Sequence, residues 1–198
     1  MGQLIIVRGG GDLASGIIHR LFRSGYDIIV TETGLPTVIR RTVAYAAAVY
    51  AGSVTVEGLR ADYCPMNEAL QKVTDGIIPV IADPGGESIR LYKPAALVDA
   101  ILAKQNLGTT MDAAPVVIGV GPGFTAGRDV HAVIETMRGH DLGRVIYEGQ
   151  AYPNTGTPGD IDGYTLERLL RAPAAGRFQG ARQIGDTVLA GEAVAYVD

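Results

Sequence analysis

The order of apolar and polar positions predicts a β-α-β unit at the start of the chain. Residues 4–7 are a continuous apolar run, typical of a strand that is buried on both faces. A glycine-rich stretch follows, and then apolar residues recur at helical spacing up to Ser24 and Gly25, which favour a helix end. A second apolar run covers 28–30. Strand, glycine loop, helix and strand within about thirty residues are the β-α-β pattern.

The alternation of the two periods continues to about residue 105. Helices are predicted at 42–50, 67–73 and 94–104, the last because proline suits a first helical turn. Strands are predicted at 54–56 and 77–82. This order predicts the α/β class, with a Rossmann-like parallel sheet in the N-terminal domain.

The second half of the chain has a different pattern. Residues 105–115 lack an apolar period and are predicted to be a connector; a strand at 116–120 and a second glycine loop follow. The pattern then predicts a strand at 145–147, a loop at 153–163 and one or two helical turns at 165–171. Short β runs between glycine turns end the chain. We therefore divide it into a Rossmann-like nucleotide-binding domain (1–112), a second glycine-loop α/β segment (113–164) and a smaller β-rich part (165–198).

Composition narrows the classes of function. The 198 residues carry a net charge of −4, and the 17 basic residues are scattered, so we expect no nucleic-acid partner. No apolar run reaches the roughly 20 residues of a membrane span, and we see no signal peptide. With Cys64 as the single cysteine, a cytoplasmic location is expected. No neighbouring base lowers the pKa of this thiol, which favours an inert role.

The first glycine loop matches the dinucleotide fingerprint G-x-G-x-x-A at Gly9, Gly11 and Ala14. In that interpretation the first glycine makes a tight turn, the second admits a pyrophosphate, and the small third residue packs helix against strand. Glu32 ends the next strand, where an acid would bind a ribose. Asp12 stands where the pyrophosphate would lie, so either it caps the helix sideways or the ligand is not a diphosphate. A P-loop is excluded because no Lys-Ser or Lys-Thr follows Gly16. A glycine turn that serves geometry alone is the alternative.

Two further polar groups are candidates for chemistry. Asp83 and Glu87 follow a strand and either face the same crevice as the glycine loop or are solvated turn residues. Asp129, His131 and Glu135 are our catalytic candidates, within a cluster that also holds Arg128 and His140. Asp129 and His131 would share one face of a strand, or His131 and Glu135 one face of a helix. Either pair would suit acid-base catalysis or part of a hard-metal site, against a structural hydrogen-bonding role.

The cofactor-binding candidates come from both glycine loops and the end of the second strand. They are Gly9, Gly10, Gly11, Asp12, Ala14, Glu32, Gly121 and Gly123.

The chain resembles the YqeB family along most of its length. The similarity is carried by GGGDLASGIIHRLFRSG at 9–25, PTVIRRTV at 36–43, GVGPGFTAGRDVHAVIETMRGHDLGRVIYEG at 119–149 and PNTGTPGDIDGYTLERLLRAP at 153–173. The resemblance implies an accessory protein for the maturation of a selenium-dependent molybdenum hydroxylase. It implies a hydroxylase partner but gives no catalytic residues.

The tail at 171–197 also resembles half of a biotinyl- or lipoyl-type barrel-sandwich domain, without the turn that carries the prosthetic group. Half a barrel leaves strand edges unpaired. Members of the YqeB family continue beyond this length, so we expect a shortened chain, or pairing of the tail with 116–120 or with a second subunit of a homo-oligomer.

Three functions stay open at this stage. The first is an accessory protein that binds a nucleotide or a molybdopterin nucleotide between the two glycine loops. The second is an NAD(P)-dependent oxidoreductase that would depend on His131. The third is an assembly scaffold with an empty glycine loop. Whether any reaction is catalysed is not determined by the sequence.

Overall fold

The computed structural model describes residues 2–198. They form two compact units, the first ending at Asn154 and the second covering Thr155–Asp198. The first unit contains a nine-stranded sheet, and the second contains a two-stranded antiparallel sheet. The predicted class, α/β with a Rossmann-like sheet and a smaller β-rich C-terminal part, is confirmed.

The large sheet is mostly parallel. Its order is β3-β4-β5-β2-β1-β6-β7-β8-β9. Neighbours from β4 to β8 are parallel, and only the outer strands β3 and β9 run antiparallel. The strands are β1 (Leu4–Arg8), β2 (Asp27–Glu32), β3 (Ser53–Val56), β4 (Leu59–Tyr63), β5 (Ile78–Ala82), β6 (Ala96–Asp99), β7 (Val116–Val120), β8 (Ala132–Ile134) and β9 (Val145–Ile146).

Helices cover the sheet incompletely. α1 (Asp12–Arg23) is the crossover between β1 and β2, and it is amphipathic, with Ala14 and Ile18 buried against the sheet. The others are short: α2 (Ala48–Ala51), α3 (Ala69–Thr74) and α4 (Glu87–Tyr92). Single 3-10 turns occur at Arg41–Val43, Tyr45–Ala47, Met66–Glu68 and Leu166–Arg168. Among residues 2–198 no helix is long and apolar enough to cross a membrane.

Each face of the central strands packs into its own core. Ile5 and Val7 contribute to the core under α1, whereas Ile6 and Leu97 contribute to the core on the opposite face. This alternation follows from the two-residue period of a strand. It explains why these strands have continuous apolar runs, as expected for a parallel sheet covered on both faces.

The predicted helix at 94–104 is wrong. Residues Ala96–Asp99 form β6, which is hydrogen-bonded to β1 on one side and to β7 on the other. Leu97 and Val98 are buried on opposite faces, an arrangement that suits a central strand and not a one-sided helix. The left-handed backbone at Leu102 and Lys104 also prevents a continuous helix there.

Other predicted elements differ less. The helix expected at 42–50 is divided into two 3-10 turns and the four-residue α2. The strand at 54–56 is confirmed as β3, but it pairs with β4 through a hairpin whose turn is Glu57 and Gly58. The sheet continues across residues 112 and 113, because β7 is paired with β6.

The second unit contains β10 (Phe178–Gly180) and β11 (Ala195–Val197). The two β runs expected in the tail at 184–188 and 190–194 form turns and coil instead. The expected pairing of the tail with 116–120 is wrong, because β6 and β8 occupy both edges of β7.

Candidate functional site at the carboxyl end of the central strands

The strand order reverses beside β1. The chain passes from β1 to β2 on one side, and later returns to the other side of β1 as β6. In open parallel sheets ligands bind outside the carboxyl ends of the strands at such a switch point. The loop Gly9–Gly11 follows β1 at this place and leads into α1.

The three consecutive glycines have different surroundings. Gly9 has φ +89°, and a Cβ there would lie 2.8 Å from the Ala100 carbonyl oxygen. A Cβ on Gly10 would lie 2.8 Å from the Ala46 nitrogen. At Gly11 a Cβ would meet no atom within 4 Å. Packing therefore requires the first two glycines, whereas the third faces open space.

The N-terminus of α1 is uncapped. Gly11 is its N-cap residue and provides no side chain to accept the first N–H groups of the helix. The positive end of the helix dipole therefore faces the open space beside Gly11. Ala14 is fully buried, which is the packing role that the fingerprint gives to its third residue.

The loop and the first turn of α1 are fixed by polar groups below them. The Ser15 hydroxyl donates a hydrogen bond to the Gly10 carbonyl oxygen at 3.2 Å and accepts the Tyr45 N–H at 2.9 Å. Glu32 accepts the Gly10 N–H at 2.8 Å with Oε1 and the Thr33 N–H at 3.0 Å with Oε2. Glu32 thus holds the glycine loop, and its proposed contact with a ribose stays a prediction.

Asp12 is paired with Arg40. The Arg40 guanidinium donates to Asp12 Oδ2, although both side chains remain partly exposed. The positive charge of Arg40 compensates the negative charge of Asp12, which by itself would disfavour an anionic ligand at this helix end. Arg40 is thus in direct contact with the first residue of α1.

A buried ionic network lies on the other face of the sheet at the same edge. Arg8 donates to Asp99 Oδ2 at 3.2 Å and to the Thr109 hydroxyl at 2.5 Å, and Thr109 in turn donates to Asp99. The side chains of Arg8 and Asp99 are 7% and 2% exposed. Sequence reasoning missed this network; the signal was an arginine that closes the apolar run of β1 directly before the glycines.

Asp83 is a buried anchor for α4. Its carboxylate accepts the Glu87 N–H at 2.9 Å and the Ser88 N–H at 2.8 Å. Burial raises the pKa of this carboxyl, but the hydrogen bonds from Ser88, Glu87 and Gly86 outweigh burial and hold the pKa below its ordinary value. The solvated-turn interpretation is therefore wrong for Asp83, whereas the Glu87 side chain is exposed.

The three catalytic candidates do not converge. Both expected arrangements are wrong. Asp129 and His131 share no strand, because they lie in the turn and bend before β8. His131 and Glu135 share no helix, because β8 lies between them. His131 precedes β8, and its Nδ1 accepts the Val117 N–H at 3.0 Å. Glu135 follows β8, is buried, and accepts the N–H groups of Thr136 and Met137 at 2.7 Å and of Tyr152 at 2.8 Å.

Asp129 has partners of its own. It accepts the Thr125 N–H at 2.8 Å and two bonds from Arg128, whose guanidinium holds the pKa of this carboxyl below its ordinary value. His140 is exposed. Within residues 2–198 no three His, Cys, Asp or Glu side chains gather to hold a metal ion. Catalysis by these residues stays a prediction without a common site.

The second glycine loop is a packing element. A Cβ on Gly121 would lie 2.9 Å from the Thr136 hydroxyl, and one on Gly123 would lie 2.6 Å from the Gln105 Cα. No helix follows this loop, which leads to β8 instead. Packing accounts for both glycines, and a ligand contact by them stays a prediction.

Cys64 is buried directly after β4. Burial raises the pKa of its thiol, with Lys72 acting in the opposite direction. Burial and a raised pKa both disfavour a nucleophilic thiolate, in agreement with an inert role.

One relative was found by comparison with curated proteins. The "Uncharacterized protein YqeB" of Escherichia coli (strain K12) is 52% identical over 196 residues, which are 98% of this chain and 36% of the relative. The chain thus spans about a third of the length of the relative it matches. No family model and no solved structure matches the chain.

Proposed function

Because this chain belongs to the YqeB family, we propose that it is a ligand-binding accessory protein that holds a nucleotide at Gly11 and the N-terminus of α1. The family resemblance extends the proposal to a selenium-dependent molybdenum hydroxylase as partner. In that setting the ligand is a nucleotide, or a molybdenum cofactor that bears one, delivered or modified for the hydroxylase.

The open space at Gly11 is the observation that carries the proposal. A glycine required only by the turn would have a left-handed backbone or no room for a Cβ, as Gly9 does. Gly11 instead has φ −64°, and a Cβ at this position would meet no atom within 4 Å. Any L-residue fits that backbone, so the turn itself does not demand glycine here. Phosphate approach to the backbone does demand it.

Electrostatics support an anion at the same place. The uncapped N–H groups and the dipole of the 12-residue α1 favour a negative group there. Arg40 compensates Asp12 and provides a guanidinium beside the first turn. Buried Ala14 lets α1 pack closely on the strands, as in nucleotide-binding β-α-β units.

The oxidoreductase alternative has less support. His131 precedes β8, whereas Gly11 lies beyond the carboxyl end of β1 in a sheet where β1, β6, β7 and β8 are parallel. His131 is hydrogen-bonded to Val117, which is in register with Leu97 and through it with Ile6, the third residue of the five-residue β1. His131 therefore lies before the amino end of β8, whereas Gly11 lies beyond the carboxyl end of β1.

Binding of a nucleotide panel tests the proposal. NAD, NADP, FAD, AMP, CTP and molybdopterin nucleotides are titrated into the full chain by calorimetry and by thermal shift. We expect one of them to bind, and Gly11→Asp to weaken its Kd by at least about tenfold, which is about 1.4 kcal/mol. The carboxylate introduced at Gly11 blocks the phosphate by volume and by charge.

Gly16→Asp is the matched control. Gly16 lies on the exposed side of α1, and a Cβ there also meets no atom within 4 Å. The control makes the same chemical change just over one turn away from the helix end and is expected to keep the Kd within about twofold of wild type. Absence of binding by every ligand would leave the scaffold alternative, and equal losses in both variants would contradict a site at Gly11.

A further inference from the structure

A second open groove lies on the face of the sheet away from α1. Arg8 forms part of its floor, α4 and the loop before it form one wall, and residues 107–115 form the other. Arg8 follows Ile6 by two residues and so shares its face, opposite the core under α1. The groove has a volume of about 1130 Å³, which is enough for a small organic ligand.

The groove exists because one crossover lacks a helix. Residues 100–115 join β6 to the parallel β7, a connection that usually contains a helix lying on the sheet. Here it is a loop with left-handed backbone at Leu102 and Lys104. No helix of this crossover therefore covers the sheet beside α4, and the groove lies between α4 and residues 107–115.

Buried polar anchors fix both walls. Thr109 ties the 107–115 wall to Arg8 and Asp99, and the Asn106 amide binds both the N–H and the carbonyl oxygen of Thr109 at 2.8 Å. Asp83 fixes the start of α4. A buried ion pair adds little stability compared with apolar residues of the same volume. We therefore interpret the Arg8–Asp99 pair as a contact that fixes the position of the groove wall.

The charge of the rim indicates the class of ligand. Arg90 and Lys93 stand on the α4 side, and no side chain within residues 2–198 forms an ion pair or hydrogen bond with either of them. Asp112 is the one acidic residue of the lining, and the Thr110 hydroxyl donates to it. Arg8 is neutralised by Asp99, so the rim has an excess of positive charge.

The remaining lining is largely apolar, with Ile89, Leu107 and Ala113 among its members. We propose that this groove binds a small organic anion with an apolar body, held by Arg90 and Lys93 at its phosphate, sulfonate or carboxylate group. This site is separate from the glycine loop and does not depend on nucleotide binding there.

Binding of 8-anilinonaphthalene-1-sulfonate (ANS), an anion with an aromatic body, tests the proposal on the full chain. We expect ANS to bind native protein with one-to-one stoichiometry and with an affinity that falls as salt is raised. Arg90→Glu combined with Lys93→Glu should weaken it by at least about tenfold. Ala113→Phe, which fills the groove without changing charge, should weaken it as well.

Two controls separate this site from general surface binding and from the glycine loop. Arg20→Glu combined with Arg23→Glu makes the same charge change in the last turn of α1, and Gly11→Asp alters only the first site. Both are expected to keep the wild-type affinity for ANS within about twofold, and thermal unfolding verifies that every variant is folded. No ANS binding by the native protein, or equal affinity in groove and control variants, would overturn the proposal.

Discussion

The buried network of Arg8, Asp99 and Thr109 gives the sharpest prediction on stability. Asp99→Ala removes the counter-ion and leaves the Arg8 guanidinium, only 7% exposed, with the Thr109 hydroxyl and a long bond of 3.4 Å to the Pro84 carbonyl oxygen. An uncompensated buried charge costs about 3–5 kcal/mol. At about 2–4 °C per kcal/mol for a chain of this size, the Tm should fall by roughly 6–20 °C.

A double-mutant cycle isolates the interaction. Arg8→Met and Asp99→Leu are each expected to cost about 3 kcal/mol or more, whereas the double variant should cost far less than their sum because no charge stays buried. Urea unfolding followed by far-UV circular dichroism measures all four proteins. Arg144→Met, which breaks the exposed pair with Asp141, is the control and should change stability by less than about 1 kcal/mol.

The reasoning would be refuted by additive losses in the double variant. It would equally be refuted if Asp99→Ala cost less than about 1 kcal/mol, because an exposed pair would then explain the data.

Three other predictions concern two anchoring carboxylates and the buried thiol. Asp83→Asn should lower the free energy of unfolding by about 1–3 kcal/mol at pH 7. The pKa of Asp83 is depressed in the folded protein, so its stabilisation is present above about pH 3.9 and is lost as the pH falls through the folded pKa. The difference between variant and wild type in urea unfolding should therefore narrow in acid, and a constant difference would contradict this. Glu135→Gln should cost at least about 2 kcal/mol because three backbone N–H groups lose a charged acceptor, against less than about 0.5 kcal/mol for exposed Glu148→Gln; similar urea midpoints would argue against the anchor. Cys64, with its raised pKa, should react slowly with 5,5′-dithiobis(2-nitrobenzoic acid) at pH 7 until urea is added, and rapid reaction of the native protein would show an accessible thiolate.

The first β-α-β unit was predictable because its signals are local. Apolar runs of strand length, a glycine loop and a helical period follow one another within β1, α1 and β2, and each agrees with the others. The roles of Gly9 and Ala14 also follow from the motif. The open space at Gly11 is consistent with the motif, but it depends on where other segments of the chain pack, and the sequence alone does not give their positions.

The strand β6 was not predictable from local pattern. Its segment is short and apolar, and such a run suits a buried strand as well as a buried helix. Pairing with β1 and β7 decides between the two, and these partners lie far away along the chain. The tertiary context therefore overrides the helix signal of Pro94 and the alanines.

The candidate site shows the same limit. Arg8 and Thr109 are separated by 101 positions, so no spacing rule joins them. Conversely, the three catalytic candidates are close in sequence, but each accepts a hydrogen bond from a backbone N–H group in a different place. These candidates are Asp129, His131 and Glu135. Nearness along the chain indicated one cluster, but the extended backbone of β8 places Glu135 at the opposite end of the strand from Asp129 and His131.

The most direct test of the central claim is to locate the bound nucleotide by amide ¹H–¹⁵N NMR. Titration with the nucleotides of the panel is expected to shift the amides of Gly11, Asp12 and Leu13 most strongly, in proportion to occupancy, and Gly11→Asp should abolish the shifts at Asp12 and Leu13. A nucleotide that binds but shifts amides elsewhere, with the first turn of α1 unchanged, would contradict the proposed site.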